Sequence, residues 1–306
     1  DQLETQPLVA RVVALATGRR GMTDRVVHLA GVAGAPVTTD DAWRAQMICL
    51  SRCGNYLVFG GRYADADALI ARLDHAAAEQ PDLDPKVAAM LHQLHAFRAS
   101  AASDPGACLT HLQAAIKAFE QTGDVRNTCT MGANVGCMLT ELGDFEASEA
   151  TLRSALASAG RLGLKDIEPM ILHNLGHALL YKGSLDEART SEQRAAVAFH
   201  SQGALRLEGV TRTYAAKIAL ASGDLAAAES EARAAKEMLA AAPPLRAAAG
   251  AILARVLLAA DRTAEALEAA REAYAQLEAL GSLEEGEATV RLAYAESLRA
   301  AGANSE

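Results

Sequence analysis

Apolar side chains recur along this chain in stretches of about twenty residues, at the three- and four-residue steps of one helix face; Leu152, Leu156 and Ala159 form one such run. A short recurring string separates the stretches: Gly61-Arg62-Tyr63, Gly143-Asp144-Phe145, Gly183-Ser184-Leu185 and Gly223-Asp224-Leu225, with weaker copies at Gly21, Ser103, Asp261 and Gly302. Taken in order, these anchors stand 40, 42, 40, 40, 40, 38 and 41 residues apart. A near-constant period of this size is the signature of an array of stacked supersecondary units.

Other positions keep step with the anchors. Seven residues before each one the side chain is tiny: Ala14, Gly54, Ala96, Gly136, Gly176, Ala216, Ala254 and Ala295. Twelve after stand Ala33, Leu73, Ala115, Ala155, Ala195, Ala235 and Ala273. Five after, the residue is usually small (Ala66, Cys108, Ser148, Ala188, Ala228 and Ala266), with Val26 the larger exception. Twenty after, from the second anchor on, comes a breaker: Pro81, Gly123, Gly163, Gly203, Pro243 or Gly281. Each unit therefore reads as two helices, split by the anchor and closed by the breaker. Glycine at a helix end supplies a left-handed cap, and Asp or Ser just after it can cap the next helix. The prolines at positions 7, 36, 81, 85, 105, 169, 243 and 244 all fall in predicted turns or first turns, where a missing N–H costs little. Asp104-Pro105 reads as an N-cap followed by the first helical residue. The tiny residues mark where helices cross closely. A hairpin cannot bury both its faces alone, so neighbours must stack.

Composition narrows the function classes. The net charge of -9 argues against a broad nucleic-acid surface, which needs excess Lys and Arg. No apolar run is long enough to span a bilayer, and no signal peptide is present. The chain starts at Asp1 without an initiator Met, which suggests a piece of a longer protein. Cys49, Cys53, Cys108, Cys129 and Cys137 fall inside predicted helices without a CxxC pair, as expected of buried, reduced thiols in a cytoplasmic protein. Cys49 and Cys53, four apart, could form half of a metal site, but cysteines at helical spacing are more often core. There is no GxSxG, no Walker loop and no GxGxxG, so neither a catalytic reaction nor a cofactor is expected. Glu284-Glu285 stands at a helix start, where the carboxylates complement the dipole.

Asn134-Val135-Gly136 and Asn174-Leu175-Gly176, each followed seven residues later by Gly143 and Gly183, resemble the N-L-G…G-[DN]-[YF]-x-x-A core of tetratricopeptide repeats. Ala155 and Ala195 match the family's second-helix Ala. The resemblance runs from about residue 4 to the end and is strongest over residues 124–242. It departs from the common pattern in its longer period and in the loss of most second-helix aromatics. Longer repeats of this kind are similar to those of kinesin light chains, bacterial peptide-pheromone sensors and the helical arrays of large multidomain bacterial regulators. The Ala- and Arg-rich composition fits a bacterium with a GC-rich genome.

The resemblance implies an all-α fold: a right-handed α-solenoid of about seven helix-turn-helix repeats plus a C-terminal capping helix. The expected single domain covers residues 1–306, with repeats at 4–40, 41–81, 85–123, 124–163, 164–203, 204–243 and 244–281 and the cap at 284–301. It also implies a concave wall of first (A) helices that holds a peptide or a partner's helix. Family contact positions, two, six, nine and ten before each anchor, carry over to Ser51, Arg52, Asn55 and Phe59; to Ala133, Asn134, Cys137 and Glu141; to His173, Asn174, His177 and Tyr181; to Thr213, Tyr214, Lys217 and Ala221; and to Ala251, Ile252, Arg255 and Ala259. The candidate ligand-binding set is Arg52, Asn55, Asn134, Cys137, Glu141, His173, Asn174, His177, Tyr181, Lys217 and Arg255. Asn134 and Asn174 are equivalent in adjacent repeats, and an Asn amide that donates and accepts can hold a peptide backbone. Arg52, Lys217 and Arg255, against Glu141, suit a carboxylate or acidic segment.

His173 and His177, at i and i+4, share one helix face as in zinc helices, but no HExxH is present. A third ligand would have to come from a neighbour such as Cys137, and no metal is expected. His92 and His95, at i and i+3, read as packing or groove residues. The final helix, with Glu287, Arg291, Glu296 and Arg299, reads as a solvated cap. The first, dominated by Leu3, Leu8, Val9, Val12, Val13 and Leu15, would require an upstream domain or a second subunit, as in a homodimer. The leading expectation is a cytoplasmic scaffold or sensor that binds protein or peptide within a larger bacterial signalling or regulatory protein. The alternative is a self-association module with no separate ligand.

Overall fold

The computed structural model describes residues 40–281 and 286–302, and among these there are thirteen helices and no strand. The predicted first repeat, with Gly21, its neighbours in the columns and the apolar helix at Leu3–Leu15, lies outside the described residues, as do Glu284 and Glu285. Contacts divide the chain into two compact units, the first ending at Leu142 and the second beginning at Gly143.

The first unit contains α1 (Asp40–Phe59), α2 (Tyr63–Ala78), α3 (Pro85–Ala101), α4 (Pro105–Gln121) and α5 (Val125–Glu141). α1 packs on α2 and α3, α3 on α4, and α4 on α5. The second contains α6 (Phe145–Leu162), α7 (Glu168–Lys182), α8 (Leu185–Ser201), α9 (Leu205–Ala221), α10 (Leu225–Met238), α11 (Pro243–Ala259), α12 (Thr263–Leu280) and α13 (Glu287–Ala300). Here each helix packs on the next from α6 to α13. The A helices also touch one another, α7 on α9, α9 on α11 and α11 on α13. That second set of contacts makes a continuous row of A helices within the unit.

The turn chemistry follows the sequence pattern. Every anchor among the described residues is left-handed: Gly61, Gly143, Gly183, Gly223 and Gly302, and also Ser103 (φ 57°) and Asp261 (φ 56°). Two non-glycine residues accept a conformation that costs an L-residue about 1–2 kcal/mol, which shows that the reversal is set by the stacked helices and not by glycine alone. Asp84, Asp104, Asp124, Asp144 and Asp224 accept backbone N–H bonds from the first turn of α3, α4, α5, α6 and α10. Ser184, in the equivalent place, makes no such bond.

The small-residue columns are where helices cross. Ala96, Ala216 and Ala254 before the anchors, and Ala115, Ala195 and Ala235 after them, are fully buried. Gly176 and Gly209 have no room for a methyl group: a Cβ would stand 2.7 Å from Glu192 Oε1 and 2.7 Å from Leu239 Cγ respectively. Ala295 in α13 is the exception and is exposed. The core between α9 and α13 is built largely of Ala with Ile252, Leu253, Leu257 and Leu277. Short side chains let these helices approach closely enough to exclude water without large aromatics.

Candidate functional site

In the second unit the predicted contact residues of α7 and α9 meet around one ring. Tyr214 takes the edge of His177 at a centroid distance of 4.6 Å and of His173 at 5.0 Å. Lys217 Nζ lies 3.9 Å from the centre of the same ring, within cation–π range. His177 also packs against Tyr181 at 5.0 Å, and Tyr181 stacks on Phe145 of α6 at 5.9 Å. The reason is spacing. Residues 173, 177 and 181 stand one helical turn apart on α7, and 214 and 217 one turn apart on α9. Tyr181 is exposed, His173, Asn174 and Lys217 are half-buried, and His177 and Tyr214 are buried.

Behind this patch stands a residue that the contact positions do not include. Glu192 of α8 is fully buried, and its Oε2 lies 3.0 Å from His173 Nδ1. Its other oxygen, Oε1, has no hydrogen-bond partner. It fits only because Gly176 leaves space. Burial pushes the Glu192 carboxyl above the usual carboxylate range, against the pull of His173 and Lys217. Burial, together with the charges of His173 and Lys217, pushes the His177 imidazole down to about 3, so it is neutral at physiological pH.

A raised carboxyl gives stability that is complete below the unfolded value of 4.5 and lost as pH rises through the folded value. Glu192→Gln is therefore expected to raise the melting temperature of the second unit at pH 7. The gain should shrink to nothing as pH falls to 4.5, a comparison thermal unfolding at the two pH values makes directly.

Next to Tyr214 and Lys217 opens a small, shallow cleft that is open to solvent. Val210, Leu239, Leu245, Ala248 and Ile252 form its apolar lining, and Thr213, Thr289 and Gly286 complete it. It is thus built from α9, α11 and the start of α13, with Leu239 reaching in from the end of α10. Arg255 does not join the patch; its guanidinium pairs with Glu296 at 3.2 Å.

The remaining predicted residues belong to the first unit. On α1, Arg52 is exposed and Asn55 is buried, with its Oδ1 lacking a hydrogen-bond partner. On α5, Asn134 and Cys137 are half-buried and Glu141 is exposed. Asn134 and Asn174, expected to act together, thus stand on different compact units. All five cysteines are free thiols, and Cys49, Cys53, Cys108 and Cys129 are buried. His173 is engaged by Glu192. Among the described residues no group of three or more His, Cys, Asp or Glu side chains is placed to hold a metal ion. Nor is any described helix long and apolar enough to cross a membrane.

No protein-family profile and no curated protein sequence matches the chain. Solved structures do match by fold. The chain superposes on the Signal Transduction ATPase with Numerous Domains protein with a tetratricopeptide repeat sensor from Pyrococcus horikoshii with a TM-score of 0.66 at 17% identity, covering 89% of this chain and 42% of that one. It matches NprR, solved in complex with its cognate peptide NprX, with a TM-score of 0.67 at 12% identity over 97% of this chain and 82% of that one. It matches Rap protein, complexed with Competence and Sporulation Factor, with a TM-score of 0.59 at 12% identity over 99% and 98%. The chain thus spans less than half of the first of these proteins and nearly all of the last. The shared fold is an all-α array of tetratricopeptide-like repeats.

Proposed function

We propose that this tetratricopeptide-like repeat chain is a peptide- or protein-binding sensor region, cytoplasmic, within a larger bacterial signalling or transcription-regulatory protein. One observation carries the reading. In the second unit, successive A helices set imidazole, phenol and ammonium groups beside an apolar cleft open to solvent. Pockets that bind organic ligands combine an apolar lining with a few placed polar groups. An apolar side chain of a peptide would fill the cleft, and a carboxylate or backbone carbonyl of the same peptide would meet Lys217 at its rim. His177, neutral and buried, would support Tyr214 from below.

In the second unit the contact residues we assign are His173, Asn174, Tyr181 and Lys217, with His177 packed behind them; Arg52, Asn55, Asn134, Cys137 and Glu141 of the first unit, and Arg255, are carried over from their repeat positions alone. The structure of NprR with its cognate peptide NprX supports a peptide as ligand class, and the sensor of the Pyrococcus protein supports a regulatory setting. Binding is the proposed activity, with no catalytic step.

Panning a random peptide library against the purified chain tests this. One peptide class should be enriched. Lys217→Glu and Tyr181→Ala, both at accessible positions, should each weaken its binding roughly tenfold or more. A tight dimer in light scattering that enriches no peptide would replace this reading with self-association.

A further inference from the structure

Two buried carboxyls of the second unit are satisfied in different ways. Glu208, in the first turn of α9, has Arg212 donating to its Oε1 at 2.9 Å, and His200 Nδ1 stands 3.0 Å from its Oε2. Burial works against its charge, but these bonds outweigh it and hold the Glu208 carboxyl below the usual range. Glu192 on α8 meets only His173 among the described residues. His173 Nδ1 is 3.0 Å from Oε2, Oε1 has no hydrogen-bond partner, and the side chain has no exposed surface. Here burial outweighs the pull of His173 and Lys217 and pushes the carboxyl up.

That difference fixes the proton between Glu192 and His173. A carboxylate spreads its charge over two oxygens with about four lone-pair sites. In a dry site an anionic oxygen without a donor is costly. A neutral acid costs less, because its hydroxyl donates through Oε2 and the remaining carbonyl oxygen carries only a partial charge. Nδ1 then accepts, and the ring's own proton sits on Nε2. Moving the shared proton across to Nδ1 makes a carboxylate and an imidazolium, and Nε2 still carries its proton. Only a carboxylate facing a neutral Nδ1–H ring leaves Nε2 bare, and that arrangement buries a net negative charge. The Lys217 ammonium does not cancel that charge by contact: it lies over the Tyr214 ring, not on Glu192.

We propose that Glu192 is a positioning residue of the peptide site: as a neutral acid donating to His173 Nδ1, it holds the imidazole as a hydrogen-bond donor at Nε2, so that the groove selects a peptide carboxylate over an amine or guanidinium. This rests on the peptide-binding reading and adds the protonation that governs selectivity. Glu192 does not touch the peptide; it acts through His173. The His173 ring centre and Lys217 Nζ lie 5.0 Å and 3.9 Å from the centre of the same Tyr214 ring, so two donors flank one aromatic surface. An anion answers both. A cationic side chain would meet a donor and a like charge, which is how an interface rejects a wrong partner.

The test uses the full chain at pH 7.5. Histidine side-chain ¹⁵N spectra, with the His173 signals assigned by their loss in His173→Gln, should show a protonated Nε2 and a hydrogen-bonded Nδ1. This spectrum needs no ligand. Binding is then measured with the peptide recovered by panning. Glu192→Leu should still fold, since Leu152 is fully buried at the same position of the preceding repeat. It should bind that peptide roughly tenfold more weakly. Glu192→Gln keeps an N–H that can donate to Nδ1 and should bind like wild type. Two altered peptides, one with its acidic side chains as amides and one with an amidated C-terminus, separate the sources of the carboxylate: one of them should lose binding. A bare Nε2 in the wild-type spectrum would overturn the proposal. So would a Glu192→Leu chain that melts cooperatively and binds undiminished, or full binding of both altered peptides. Enrichment of no peptide would sink the binding reading and the selectivity with it, while the spectrum still decides the protonation of the pair.

Discussion

Gly176→Leu is expected to abolish cooperative folding of the second unit. A Cβ at this position would stand 2.7 Å from Glu192 Oε1, 2.8 Å from its Cγ and 2.9 Å from its Cδ. Glu192 has no exposed surface and so no open direction in which to retreat. Even Gly176→Ala, which gains about 1 kcal/mol in helix propensity, should lose about 1–3 kcal/mol to overpacking. The added methylenes of leucine would have to push α7 away from α8. Gly160→Ala is the internal control: nothing lies within 4 Å of its Cβ, so it should stabilise by about 0.5–1 kcal/mol. In thermal unfolding by circular dichroism, a Gly176→Leu chain that melts like wild type would disprove the close crossing of α7 and α8. The double variant Gly176→Ala with Glu192→Ala should recover part of the loss, because contacting residues are energetically coupled.

The second large effect is on pH dependence. His177 has an ordinary value of 6.5 and is held at about 3 in the folded chain. The unfolded chain therefore binds the extra proton first. The stability from a neutral His177 is complete above pH 6.5 and is lost as pH falls from there toward 3. Over the whole window this amounts to on the order of 4–5 kcal/mol. Because the raised Glu192 carboxyl acts in the opposite direction over part of this range, the His177 effect is read as the difference between wild type and His177→Leu in urea denaturation, which should change steadily from pH 6.5 to pH 4. A difference that stays constant over this range would mean that this imidazole is not held neutral by burial.

The repeat was legible in the sequence because it is local. Gly61, Gly143, Gly183 and Gly223 reverse the chain where their left-handed geometry is needed, and the Ala columns mark crossings that the packing requires. Ser103 and Asp261 were readable as anchors only from their phase: Asp tolerates a positive φ better than most residues, but Ser does not.

The patch around Tyr214 was legible in part. Helical spacing alone put His173, His177 and Tyr181 on one face. Glu192 was missed, although a signal for it exists. Nine residues after each anchor stand Ile70, Leu112, Leu152, Ala232 and Ala270, all buried, and Glu192 is the one acidic residue in that column. A lone charge in an apolar phase marks a buried polar contact. The pairing of Arg255 with Glu296 and of His92 with His111 could not be read in this way. Each joins residues from different helices, and which rotamers meet depends on packing rather than on period.

The A-helix face of the second unit is the surface proposed to bind a peptide. Hydrogen–deuterium exchange of the chain with and without a peptide selected by panning tests it most directly. Added protection is expected in α7, α9 and α11, centred on Tyr214 and Lys217, with α8, α10 and α12 unchanged. Protection confined to α8, α10 and α12 would contradict it and place the binding surface on the opposite side of the helical layer.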